Sequence, residues 1–80
     1  MKKFFVYVLI SQKNKRIYIG QTADLEKRIL AHNKGFCFST KPYRPWAIGH
    51  SEVLGSRSKA VIRERYLKSA AGRRFLRTIL

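Results

Sequence analysis

The amino-acid sequence predicts an α+β fold, a small three-stranded antiparallel sheet flanked by helices in the order ββαβαα. Three observations lead there. Two runs containing aromatic and β-branched residues, Phe4–Ile10 and Arg16–Ile19, are separated by a short polar segment, as in a hairpin. Apolar residues then recur at helical spacing, first in Leu25, Ile29 and Leu30 and later in Ala60 and Leu67. Finally, eighty residues with no internal repeat, low-complexity tract or linker make one domain, residues 1–80, whose core is too small to enclose a deep apolar pocket. Any site is therefore a surface cleft.

Phe4–Ile10 lacks clear alternation, as a strand covered on both faces does, and so takes the centre of the sheet. Ser11–Lys15 reads as the hairpin loop, Arg16–Ile19 as the second strand and Gly20 as its end. Asp24 is placed to cap a helix that runs to about Asn33 and is stopped by Gly35. The two prolines within Asn33–Trp46 block regular structure, so a long ordered loop is expected there. Ala47–Leu54 forms the third strand, weakened by Gly49 and His50, and Gly55-Ser56 turns the chain into a second helix. That helix runs from about Arg57 to Ala71, where Gly72 breaks it. A short terminal helix then docks Phe75, Leu76 and Ile79 on the core.

Eighteen lysines and arginines stand against four acids, a formal net charge of +14. Solubility needs a net charge of only about 2–8 in a small domain, so the excess points to a polyanionic partner, nucleic acid first and an anionic membrane surface second. The helices lack a broad apolar face free of the core, which weighs against the membrane. At 45% hydrophobic residues the chain is no disordered basic tail. Cys37 is the sole cysteine, which excludes an internal disulfide and a thiolate zinc cluster and fits a reducing, cytoplasmic setting. Met1-Lys2-Lys3 before Phe4–Ile10 imitates a secretory signal, but no small-residue cleavage pattern follows, and no stretch is long enough to span a membrane.

The chemistry concentrates in Tyr18–His32. Arg28 and His32 are four apart and share a helical face, and the neighbouring strands bring Tyr7 and Tyr18 to the same end of the unit. Each residue has a plain structural alternative. Two tyrosines on adjacent strands can form a packing pair. Arg28 offers a planar fork suited to phosphate, or pairs with Asp24. His32 can shuttle a proton or contact phosphate, or simply cap and pack its helix.

Glu64 lies on the stripe Ala60, Glu64, Leu67, Ala71, where an apolar residue is expected. It either binds Mg²⁺, a hard cation that can be held by one or two carboxylates, or forms a salt bridge to Lys68, and spacing alone favours the salt bridge. In the Asn33–Trp46 loop, Lys34, Lys41 and Arg44 can track a nucleic-acid backbone. Of the interleaved Phe36, Phe38, Tyr43 and Trp46, most are expected to cover the core, the alternative being to stack on unpaired bases. Cys37 reads as a plain thiol.

Several blocks together resemble the GIY-YIG nuclease domain family. Tyr18-Ile19-Gly20 is the second half of the name motif, and Phe5-Val6-Tyr7 keeps the tyrosine of the first. Arg28, Thr40, Arg44-Pro45-Trp46 and the Ala60–Lys68 helix follow in the family's order. The chain is most similar in type to the small stand-alone members and to the N-terminal nuclease domain of the excinuclease C subunit, which links it with DNA repair.

The resemblance implies a metal-dependent endonuclease acting on DNA, with RNA as the other nucleic acid. By the same resemblance Tyr18 is the general base, Tyr7 orients or assists, Arg28 stabilises charge on the phosphate, and Glu64 holds one Mg²⁺ or Mn²⁺. Gln21 stands where some members carry lysine, so the charge that would activate the base is not supplied there. A basic nucleic-acid-binding module, associated with DNA, RNA or ribosomes, that keeps the fold without catalysis is the competing reading, supported by Gln21 and by the scarcity of carboxylates.

Overall fold

Phe4–Ser11 forms β1, and both of its faces are covered, which is why its apolar residues do not alternate. In the computed structural model, which describes residues 3–80, β1 pairs antiparallel with β2 (Ile17–Thr22) on one side and β3 (Trp46–Leu54) on the other, giving the order β2-β1-β3. Three helices complete the expected ββαβαα arrangement: α1 (Leu25–Lys34), α2 (Arg57–Lys68) and α3 (Ala70–Ile79). No helix among the described residues is long and apolar enough to cross a membrane.

Strand alternation divides the interior in two. Val6 and Val8 face α2 and α3, packing with Ile19, Ala60, Leu67 and Leu76. Tyr7 and Leu9 point the other way, to Trp46 and the partly buried Tyr18, Leu25, Ile29 and Tyr43. The sheet thus separates an aliphatic core from an aromatic one, and the candidate chemistry lies with the aromatics. On β3 the pairing steps from Val8↔His50 to Leu9↔Ile48, leaving Gly49 as the extra residue of a bulge.

The helix ends follow local chemistry. The Asp24 side chain accepts from the Lys27 amide, capping α1, and Gly35 closes the helix at φ 83°, in the left-handed region where a side chain is strained. Ser56 caps α2 by accepting from the Lys59 amide.

Two boundaries differ from the sequence expectation. Gly20 does not end β2, which continues to Thr22. The second helix stops at Lys68, because the Ser69 hydroxyl donates to the Tyr66 carbonyl at the end of α2 and accepts the Gly72 amide at the start of α3. Gly72 is no breaker; it sits buried in the first turn of α3, where an added Cβ would fall 2.0 Å from the Tyr66 carbonyl oxygen. Its service is close helix approach. Ala71 consequently leaves the α2 stripe and is exposed.

Candidate active site

Antiparallel register places both tyrosines on one face, since Tyr7 pairs with Gly20 and Leu9 with Tyr18. A Cβ at position 20 would lie 2.5 Å from the Tyr7 phenol oxygen, so glycine inside β2 leaves the room that this ring occupies. The phenol then reaches α1. Its hydroxyl lies 3.0 Å from His32 Nε2 and receives the Arg28 Nε–H at 3.3 Å.

The proton positions in this chain follow from its far end. The Thr40 hydroxyl donates to the Cys37 carbonyl at 3.3 Å, so its oxygen accepts the N–H of His32 Nδ1 at 2.8 Å. His32 Nε2 is then bare and accepts the Tyr7 O–H. Donation runs one way, from Arg28 to Tyr7 to His32 to Thr40 to the main chain. Burial, and secondly the Arg28 charge, hold the His32 imidazole below its ordinary value, keeping it neutral. Burial also raises the Tyr7 phenol, against the pull of the Arg28 hydrogen bond, so Tyr7 keeps the proton it donates.

The two tyrosines therefore differ. Tyr7 is 1% exposed with its hydroxyl fully engaged. Tyr18 makes no hydrogen bond through its hydroxyl among the described residues, yet no buried side-chain oxygen lacks a partner, so this hydroxyl is open to solvent. Its ring is fixed against His32, with centroids 4.9 Å apart, and against Tyr7 and Trp46 at 6.3 and 6.4 Å. Arg28 does not pair with Asp24. Only its Nε is engaged among the described residues, and the same reasoning leaves its Nη groups accessible. His32, 0% exposed, cannot touch a phosphate and is confined to the hydrogen-bond chain.

Thr40 also anchors the α1–β3 loop, since its carbonyl accepts the Trp46 indole N–H at 2.9 Å. Asn33 brackets Trp46, accepting its amide at 2.6 Å and donating to its carbonyl at 3.0 Å. Trp46 and Tyr43 cover the core as expected, but Phe36 and Phe38 do not, being 75% and 94% exposed. Lys41 and Arg44 line one cleft with Phe38, joined by Lys13 from the hairpin, whereas Lys34 is exposed at the end of α1 outside that lining.

Glu64 is not gathered into the tyrosine cluster. α2 packs on the Val6 and Val8 face, and Glu64 Oε2 accepts from Lys68 Nζ at 2.7 Å, the salt bridge that spacing alone suggested. Arg63, its neighbour on the helix, forms a bidentate pair with Glu52 of β3 at 2.7 and 3.0 Å. Seven residues before Glu64, and so on the same side of α2, Arg57 donates to Gln21 of the edge strand β2. Tyr18 belongs to that same strand, on its other face.

A model of the GIY-YIG catalytic domain matches residues 3–76. The chain belongs to the GIY-YIG family. A UPF0213 protein of Staphylococcus saprophyticus is 32% identical over 80 residues, spanning 99% of this chain and 96% of that protein. Another, from Syntrophus aciditrophicus, is 37% identical over 70 residues, covering 85% and 79% of the two chains. The solution NMR structure of a UPF0213 protein from Bacillus halodurans superposes with a TM-score of 0.57 at 25% identity, covering 95% of this chain and 83% of that one.

Within the GIY-YIG frame, Gln21 is less bare than the sequence implied. It pairs with Val6, on the α2 face, and its Oε1 accepts from Arg57 at 3.2 Å, so α2 brings a cation to the position where some family members carry lysine. Sequence reasoning counted Thr40 only as a family block and missed Lys13 altogether. Thr40 lies eight residues beyond His32 across an irregular loop, and no periodicity links the two.

A pH effect follows. Because His32 is held neutral with its proton affinity lowered on folding, its stabilising contribution is present above the ordinary imidazole value of 6.5 and is lost as pH falls below it through the lowered value of the folded state. The melting temperature of the wild type should therefore fall between pH 7.5 and 5.5 more steeply than that of a His32→Gln variant. Parallel slopes in the two proteins would remove the neutral-histidine assignment.

Proposed function

We propose that this GIY-YIG protein is an endonuclease that hydrolyses DNA phosphodiester bonds with the help of one divalent ion, Mg²⁺ or Mn²⁺. The observation that carries the reading is the one-way chain Arg28–Tyr7–His32–Thr40 beside the solvent-open hydroxyl of Tyr18. Buried Tyr7 and neutral His32 hold the guanidinium by its Nε, which presents the Nη donors to a phosphate whose negative charge grows during attack. Tyr18 would meet the attacking water as the phenolate and take its proton, becoming the neutral phenol. The charge of +14 draws the polyanion in.

Glu64 would hold the ion. Lys68 engages Oε2, leaving Oε1 without a hydrogen-bond partner among the described residues, and a hard cation accepts one carboxylate when substrate phosphate supplies further oxygens. When bound, the ion polarises a phosphate oxygen. The Glu64–Lys68 pair favours the second reading, a nucleic-acid-binding module without catalysis.

Incubation with plasmid, branched and single-stranded DNA, in Mg²⁺, Mn²⁺ or EDTA, decides between them. The endonuclease reading expects metal-dependent cutting, together with binding whose log affinity falls steeply with log salt. Salt-dependent binding without cutting leaves the binding module. A flat salt dependence overturns both.

A further inference from the structure

We propose that the α1–β3 loop is a seat for an unpaired DNA base, so that the substrate of this site is DNA with a single-stranded segment. The inference rests on the endonuclease reading and names its substrate class. Phe38 is 94% exposed and lines an open cleft of about 850 Å³ with Lys13, Lys41, Tyr43 and Arg44. Phe36, two residues earlier, is 75% exposed. Scattered apolar side chains on a surface are ordinary, but two phenylalanines this exposed within three positions of a basic loop, one of them lining a cleft with three cations, are a definite chemistry. None of Lys13, Lys41 and Arg44 pairs with a carboxylate among the described residues.

An aromatic face beside unneutralised cations matches the base and the phosphate of one nucleotide. In a duplex each base face is already stacked, so an aromatic ring gains nothing there; an unpaired base offers its π-face. The loop is also rigidly placed. Lys13 Nζ donates to the Pro42 carbonyl at 3.3 Å, Ser11 Oγ donates to the Tyr43 carbonyl at 2.6 Å, and Arg44 Nε donates to the Lys41 carbonyl at 2.9 Å. Thr40 joins this same loop to His32, so a nucleotide held in the cleft lies on the scaffold that orients Arg28 and Tyr7. Bilayer insertion fits less well, because the residues beside Phe38 in the cleft are, Tyr43 apart, cationic, polar or proline, not a wide apolar face.

Fluorescence anisotropy in EDTA, at one salt concentration, with a 20-nucleotide single strand and its duplex, tests this on the intact chain. The single strand should bind the wild type more tightly than the duplex. Phe38→Ala should weaken single-strand binding about tenfold, from the loss of one stacked base, and duplex binding less than twofold. Phe38→Trp should restore the difference, which a fold defect could not do. Equal losses on both DNAs, or none, overturn the proposal. So does a Phe38-dependent preference for single-stranded RNA over DNA, or Phe38-dependent capture by anionic vesicles. Because binding is read without metal, it is separable from cutting: Phe38-dependent single-strand binding with no Mg²⁺-stimulated cleavage sinks the endonuclease reading alone. Cleavage that is indifferent to strandedness and to Phe38 sinks the substrate assignment alone.

Discussion

Tyr18→Phe is expected to lower the rate of DNA cleavage by a factor of about a hundred or more, the scale of one lost transition-state contact, while leaving fold and binding intact. The expectation follows from what the hydroxyl does in the structure. The ring packs on His32 and Trp46, which phenylalanine preserves, and the hydroxyl has no protein partner to lose among the described residues. Arg28→Ala should cut activity as deeply, because it removes the Nη donors assigned to the phosphate. It also deprives Tyr7 of one of its two partners, which adds a modest stability cost.

Tyr7→Phe separates the two kinds of role. It leaves the buried His32 Nε2 and the Arg28 Nε without a partner, so melting temperature and cleavage fall together, the former by an amount corresponding to about 1–3 kcal/mol. Single-turnover cleavage rates read beside thermal melts distinguish the variants. A Tyr18→Phe protein that cuts at the normal rate has lost the argument for Tyr18 as base.

Most of the architecture was legible because each element carries its own local chemistry. β1 announces itself by an unbroken apolar run, α1 by Asp24 and Gly35 at its ends, and α2 by Ser56 ahead of a helical stripe. The boundaries that differ are those where glycine serves packing. Gly20 and Gly72 look like stops in a one-dimensional pattern, yet each lies inside its element because a phenol in one case and a helix backbone in the other occupies the space of a Cβ. That cause is three-dimensional and has no sequence period.

The site was legible in part. Tyr7, Tyr18, Arg28 and His32 do converge, since a strand pair and a four-residue helical step fix their relative placement. What spacing could not supply is direction. The neutrality of His32 comes from burial and the Arg28 charge, and the side of the ring that carries its proton depends on Thr40, which an irregular loop delivers. Composition likewise could not tell the aromatics of that loop apart. Trp46 is pinned by Asn33, whereas Phe36 and Phe38 stand out in solvent.

Glu64→Gln is expected to abolish metal-stimulated cleavage, a loss of about a hundredfold or more if the ion's electrostatic help is withdrawn. The structure sharpens the control. Glu64 is joined to Lys68 at 2.7 Å; the lysine side chain is 51% exposed and that of the glutamate 20%, so the pair is half-buried and somewhat stronger than an exposed i,i+4 pair, which contributes about 0.3–0.5 kcal/mol. Glutamine keeps the length and helix propensity of glutamate, so the melt should hardly move. Lys68→Ala frees the carboxylate entirely. If Glu64 serves the ion, Lys68→Ala should retain cleavage and require no more Mg²⁺ than the wild type, because the competing ammonium is gone. If Glu64 exists only for the salt bridge, both variants should behave alike, with small stability changes and unaltered metal response. Titrating Mg²⁺ and Mn²⁺ into the three proteins, with melting followed in parallel, separates these cases; full metal-dependent activity in Glu64→Gln would take the ion away from α2 altogether.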